Sequence, residues 1–170
     1  MKKLPNGKWA MPFNLGTDVN TPYDEDDPYL HPDGKTLYFA SDKPGGYGGV
    51  DLYMSQRELG GSWGTPVNLG PKINTTGDEM FPFLADDGTL YFASNGHLGL
   101  GGLDVFSSSM IKTGNKMTNW TEPENLGYPI NTNADDFNYI IQKDNKHGFF
   151  VQTGRGGKVT MIFTVLPRRV

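Results

Sequence analysis

The chain has 170 residues, enough for one domain with its own core, and a formal charge of −4 with a pI near 5.3. Hydrophobic residues make up only 36%, Gly (23) and Pro (12) are abundant, and Cys is absent. This excludes disulfides and thiolate metal sites, offers no basic face for nucleic acid, and favours short strands joined by tight turns over long helices.

From Met1 to Gly7 the chain is charged and lacks the apolar run of a signal peptide. A cytoplasmic protein would begin this way, and so would a piece from the middle of a longer exported chain. No stretch approaches the ~20 apolar residues of a membrane-spanning helix.

The first recognisable feature is Trp9, followed by Pro12 and Asn14-Leu15-Gly16, the pair Asn20-Thr21 and the acidic run Asp24-Glu25-Asp26-Asp27. Pro32-Asp33-Gly34 then sits before the apolar run Leu37-Tyr38-Phe39-Ala40. Asp-Gly between apolar runs is a hairpin signal, because Gly accepts positive φ. A run apolar on every residue suits a strand packed on both faces. The glycine-rich stretch Gly45 to Gly49 leads to Asp51-Leu52-Tyr53, a third strand.

The whole pattern recurs. Trp63 and Trp120 follow Trp9 at spacings of 54 and 57 residues. Asn-Leu-Gly returns at 68–70 and 125–127, Asn-Thr at 74–75 and 131–132, and the acidic pair at Asp78-Glu79 and Asp135-Asp136. Asp87-Gly88 and the loop 96–102 before Asp104-Val105-Phe106 complete the second copy. The sequence therefore predicts an all-β chain of three repeats, 9–60, 61–117 and 118–170, in a single domain. Each repeat reads as about four short antiparallel strands, with the Trp-to-Gly segment supplying one, which is the arithmetic of β-propeller blades.

The run Pro32 to Ser41 resembles the WD40-like PD40 repeat of TolB-type propellers. The fuller pattern, from Trp through Asn-Leu-Gly and Asn-Thr to Gly-Gly-x-Asp-Leu-Tyr, is similar to repeats of bacterial envelope proteins. Those proteins often also carry an OmpA-like domain, and they include type IX secretion components. The resemblance covers residues 9 to about 151. It implies a periplasmic or outer-membrane-associated scaffold that binds a protein or a cell-wall component, with no cofactor and no catalytic residue to carry over. Closed propellers need at least four blades, so three repeats imply a partial ring. A homodimer completing the ring, edge-to-edge packing or marginal stability are the expected consequences.

The third copy departs from the pattern after Val151. A one-base shift of reading frame from about Gln152 restores Ser-Asn-Arg and an Asp-Ile-Tyr strand start, so an out-of-frame tail is one expectation and a divergent terminal blade the other. Val159 to Leu166 stays rich in β-formers in either case.

Among candidate sites, the four carboxylates Asp24, Glu25, Asp26 and Asp27 could contact a ligand or Ca²⁺. Because the acidic pair recurs, Glu25, Glu79 and Asp136 read more naturally as structural groups that accept backbone N–H. Trp9, Trp63, Trp120, Asp33, Asp87, Asp51 and Asp104 read as structural repeat positions too. Only Asp26-Asp27 lacks a counterpart in the second copy. The glycine-rich loops run into strands, unlike phosphate-binding loops. His31, His97 and His147 occupy unrelated repeat positions, which argues against a shared metal. A glycan- or peptide-processing propeller, calcium-stabilised or not, is the alternative to the scaffold. Tyr23, Tyr47 and Tyr128 fall in loops, where propellers make contacts.

Overall fold

The structure, a computed structural model, describes residues 3–114, 116–144, 147–154 and 158–165. Among these residues there are strands and no helix, arranged as three antiparallel sheets. The first sheet runs β1 (Glu25–Leu30), β2 (Thr36–Ser41), β3 (Asp51–Gln56), β4 (Val67–Asn68). The second runs β5 (Glu79–Leu84), β6 (Thr89–Ser94), β7 (Asp104–Thr113), β8 (Lys116–Trp120), with β9 (Glu124–Asn125) also on β7. The third holds β10 (Asp136–Ile141), β11 (His147–Thr153) and β12 (Val159–Val165).

Four strands were expected in each sheet, and the first sheet has them. The second has five, because the long β7 pairs with β9 at Phe106–Asn125 and with β8 at Met110–Trp120. In the first sheet the β8 position is reduced to a bridge between Arg57 and Trp63. The third sheet has three described strands. Residues 155–157 and 166–170 of the divergent tail lie outside the description, but β12 pairs with β11 along its length, from Val159–Thr153 to Val165–His147.

The sheets are offset from the repeats seen in the sequence. The Trp-to-Gly segment that opens a repeat pairs with the third strand of the preceding sheet. Asn68 lies opposite Tyr53, and Asn125 opposite Phe106. The first and second sheets are thus each finished by a strand from the next repeat.

The first strand of every sheet bends at the same place. Two residues oppose one between Asp26 and Tyr29, Met80 and Phe83, and Phe137 and Ile140. The bulge places Asp27, Phe81 and Asn138 at φ of 51°, 54° and 54°. Left-handed backbone is tolerated by Asn and Asp and is uncommon for Phe.

The apolar β2 and β6 runs are buried on both faces because the sheets stack. β5 packs on β1, β2 and β3, and β10 packs on β5, β6 and β7. Tyr38, Ala40 and Leu52 meet Leu90, Phe92 and Phe106 between the first two sheets, with Leu69 and Ile73 of the connecting segment filling the gap. Tyr91 and Val105 meet Tyr139 and Phe150 between the second and third, beside Leu126 and Ile130. Leu15 and Val19 cover the outer face of the first sheet against Leu37, Phe39 and Tyr53. No strand of the first sheet packs on a described strand of the third.

The sheets approach so closely at one point that only glycine fits. A Cβ on Gly48 would overlap the Gly77 carbonyl oxygen, and one on Gly101 the Ala134 carbonyl oxygen. Both contacts are to backbone of the next unit, which cannot rotate away. Gly101→Ala should therefore destabilise by roughly 1–3 kcal/mol, the usual cost of overpacking, and chemical denaturation would read this as a lowered midpoint with little change in slope.

Candidate functional site

The repeated polar positions of the sequence converge on the joints between sheets. At each joint an Asn-Leu-Gly turn comes first. The Asn14, Asn68 and Asn125 Oδ1 atoms accept the N–H of Gly16, Gly70 and Gly127 at 2.8, 2.8 and 2.7 Å. The carbonyls of these glycines then accept the N–H of Asn20, Asn74 and Asn131. The turn aims the second Asn at the preceding sheet.

There Asn74 acts as a substitute strand. Its Oδ1 accepts the Leu52 N–H at 2.8 Å and its Nδ2 donates to the Leu52 carbonyl at 3.0 Å. Asn131 does the same to Val105, at 2.8 Å in both directions. Both amides are fully buried. Main-chain bonds follow on either side. Leu69 and Leu126 donate to the carbonyls of Leu52 and Val105, and Glu79 and Asp136 donate to those of Val50 and Leu103. Asp78 and Asp135 accept the N–H of Val50 and Leu103 at 3.1 and 3.0 Å.

The second acid of each pair closes the loop beneath. Glu79 accepts Thr75 N–H and Thr75 Oγ1 at 2.7 Å and Ser94 Oγ at 2.6 Å. Glu25 accepts Thr21 N–H at 2.8 Å, the Thr21 hydroxyl, and Ser41 Oγ at 3.2 Å. Asp136 accepts Thr132 N–H at 2.5 Å and Thr132 Oγ1 at 3.0 Å, and Gln152 Nε2 donates to it at 2.7 Å. The shorter acid in the third unit is matched by a longer partner, Gln in place of Ser.

The other repeat acids are turn-formers. Asp51 accepts the N–H of Tyr47 and Gly48, and Asp104 accepts those of Leu100 and Gly101. Thr160 stands at the equivalent register in β12, opposite Gln152. Asp33 accepts the N–H of Lys35 and Thr36 and the Thr36 hydroxyl, and Asp87 accepts Thr89 N–H. Burial pushes the Asp33 carboxyl up, but these bonds and nearby His31 outweigh it and hold the group below its ordinary value.

The four-acid run is split by the structure. Glu25 belongs to the latch just described. Asp24 takes the position of Asp78 and Asp135. Asp26 faces solvent. Asp27 occupies the bulge, where its carboxylate accepts Phe81 N–H from the next sheet at 3.2 Å. Burial raises the Asp27 carboxyl above its ordinary value, the Phe81 bond opposes that, and Asp26 adds to it. The run does not converge on a common point. Among the described residues no group of three or more His, Asp or Glu gathers as a metal would require.

The Trp and His residues also separate. Trp120 is buried, Trp63 half-buried and Trp9 61% exposed. His97 lies against the Phe92 and Phe106 rings with Nε2 2.9 Å from the Ile73 carbonyl. His31 pairs with Asp33 at 3.2 Å and His147 with Asp144 at 2.5 Å, each in its own turn. Tyr23, Tyr47, Leu98, Leu100 and Tyr128 are all exposed, in loops at the sheet end where β1 starts and β2 finishes. The role of the second Asn was not anticipated from sequence, although its recurrence beside Thr was visible.

No family model matches the chain, and no curated protein matches it.

Two predictions follow from the joints. Asn74→Ala strands the buried Leu52 N–H and leaves the Leu52 carbonyl with Leu69 N–H alone, so it should cost ~1–3 kcal/mol, the penalty for one unsatisfied group; thermal unfolding would show a drop of roughly 2–12 °C. Asp27→Asn should behave oppositely. A carboxyl raised in the folded state binds its proton more tightly there, so its contribution diminishes as pH climbs from the unfolded value through the folded one. Asn removes that loss, keeps an acceptor for Phe81, and suits left-handed backbone. The variant should melt at or up to about 4 °C above the parent at pH 7, with the difference shrinking toward pH 3.

Proposed function

We propose that the three sheets are β-propeller blades and that the chain is a non-catalytic binding scaffold of the bacterial cell envelope. The observation that carries this reading is the repeated use of the same polar residues. In the two joints formed within the chain, the repeated acids, amides and hydroxyls are engaged in turning a loop or joining one sheet to the next. Catalysis calls for a singular constellation of groups with free valences, and the joints are multiplied instead. The stacking of each first strand on the face of the preceding sheet supports blades, as does finishing a sheet with a strand from the next repeat. The PD40-like repeat pattern supports a periplasmic or outer-membrane-associated setting.

The surface best suited to binding is the loop end carrying Tyr47, Leu98, Leu100 and Tyr128. Large apolar groups on loops held by a rigid scaffold are a contact surface for protein. Purified chain should capture an envelope protein, and Tyr47→Ser with Leu98→Ser and Leu100→Ser should weaken capture at least tenfold without changing the melting temperature by more than about 2 °C. A thermal-shift screen with Ca²⁺, muropeptides and cell-wall sugars separates the readings. A shift of several degrees with Ca²⁺ or a glycan, with no protein captured, would overturn the protein scaffold in favour of a ligand-binding module.

A further inference from the structure

The two ends of the sheet stack are complementary halves of one more joint. At the first end, residues 9–25 repeat the segments 63–79 and 120–136, which clamp a preceding sheet. The turn is already formed, since Asn14 accepts Gly16 N–H and the Gly16 carbonyl accepts Asn20 N–H. Yet the Asn20 amide is exposed and its side chain has no partner among the described residues. The Asp24 carboxylate, equivalent to those of Asp78 and Asp135, is likewise exposed. Trp9 is 61% exposed, whereas the equivalent Trp63 is half-buried and Trp120 is 1% exposed.

At the other end, β12 has β11 on one side and no described strand on the other. Its register on β11 sets Met161 opposite Val151, as Leu52 is opposite Ala40 and Val105 opposite Ala93. The outward N–H and C=O of Leu52 and Val105 are the groups that Asn74 and Asn131 clamp. Met161 stands in the place of Leu52 and Val105, and Val159 in that of Val50 and Leu103, whose main chain Asp78, Glu79, Asp135 and Asp136 meet; among the described residues nothing clamps either, and Met161 is 54% exposed where Leu52 and Val105 are buried.

We infer that two copies of this 170-residue chain associate head to tail, each seating its segment 9–25 on β12 of the other. Asn20 clamps the main chain of Met161, Leu15 N–H meets the Met161 carbonyl, and Asp24 and Glu25 N–H take the main chain of Val159. Donors meet acceptors at every position, because the set copies two joints that already exist. This rests on the propeller reading. Closed rings hold about four to eight blades, so with three sheets per chain two copies close and other numbers do not. A two-fold ring presents two such joints, and each is heterologous within the chain but closed by symmetry.

Light scattering on the 170-residue chain should give twice the 18.8 kDa chain mass, and a monodisperse single-chain mass or a growing filament overturns the proposal. Asn20→Ala with Asp24→Ala should shift the dimer at least tenfold toward monomer while the β-type circular dichroism persists. A second measurement does not depend on those variants. Val67 lies opposite Met54 and Glu124 opposite Ser107, which places residue 13 opposite residue 163 across the new joint. The chain holds no Cys, so mixing Phe13→Cys chains with Phe163→Cys chains under mild oxidation should give a covalent heterodimer. A dimer that does not cross-link and survives the double variant uses another surface, and the proposal fails. These readouts are masses, so they stand apart from capture by the loop face. A dimer that captures nothing sinks the scaffold reading alone, and a monomer that captures its partner sinks this one alone.

Discussion

The fold depends on how the outer edge of each third strand is satisfied. A strand edge carries N–H and C=O groups that must find partners when buried. Here the edge of β3, and the first half of β7 ahead of its pairing with β8, are met by only two residues of strand, at β4 and β9. A side-chain amide takes over where the strand stops. Asn is suited to this because it offers one acceptor and two donors in a planar group that mimics a peptide. Gln would overshoot by a methylene, and Asp could not donate to the Leu52 or Val105 carbonyl. Because the amide sits on the linker to the next sheet, satisfying one sheet positions the next. The remaining joint contacts, from the Glu79–Thr75–Ser94 latch to the packing of Ile73 between Leu52 and Leu90, follow from that placement.

This arrangement explains why acids are so numerous and so little available for chemistry. Glu79 and Asp136 are fully buried, and each accepts several charge-assisted hydrogen bonds, which offset the cost of desolvating a carboxylate. In the third unit the joint keeps its function while both partners change length, Asp136 for Glu and Gln152 for Ser. That pair shows the constraint to be the span between the first two strands rather than a particular residue. Asp27 is a different case. It shares its left-handed bulge with Phe81 and Asn138, so backbone shape, not carboxylate chemistry, is common to the three positions.

Much of this was legible in the sequence. The spacing of Trp9, Trp63 and Trp120, the Asp-Gly turns and the runs at 37–40 and 90–93 mark strands and repeats, because turn chemistry and apolar runs are local signals. The structural roles of Asp51, Asp104 and Asp33 were legible for the same reason: each acid binds N–H groups within four residues of itself. What was not legible lies across greater separations. Asn74 reaches back 22 residues to Leu52, and Asp27 reaches forward 54 residues to Phe81. A recurring Asn-Thr announces that something is repeated without saying which edge it meets. The offset between repeats and sheets was hidden likewise, since a strand that opens one repeat and finishes the previous sheet looks, in sequence, like the start of its own.

That offset has a physical consequence for how such a chain holds together. In a stack where each unit supplies its neighbour's outer strand, no unit is complete alone, and stability resides in the joints as much as in the sheets. Within the described residues there are two full joints, at 52–79 and 105–136. There are also two half-joints, one offering a preformed turn with an amide and the other an open strand edge. The first half-joint keeps its shape without a partner because its turn is held by local bonds from Asn14 and Gly16, and because Leu15 and Val19 are anchored on the first sheet. The second keeps its shape because β12 is registered on β11 over seven residues. Both surfaces are thus ordered before contact, so bringing them together costs little further conformational entropy. What covers β12 therefore needs only to reproduce one turn and one amide, and the chain itself carries a copy of both.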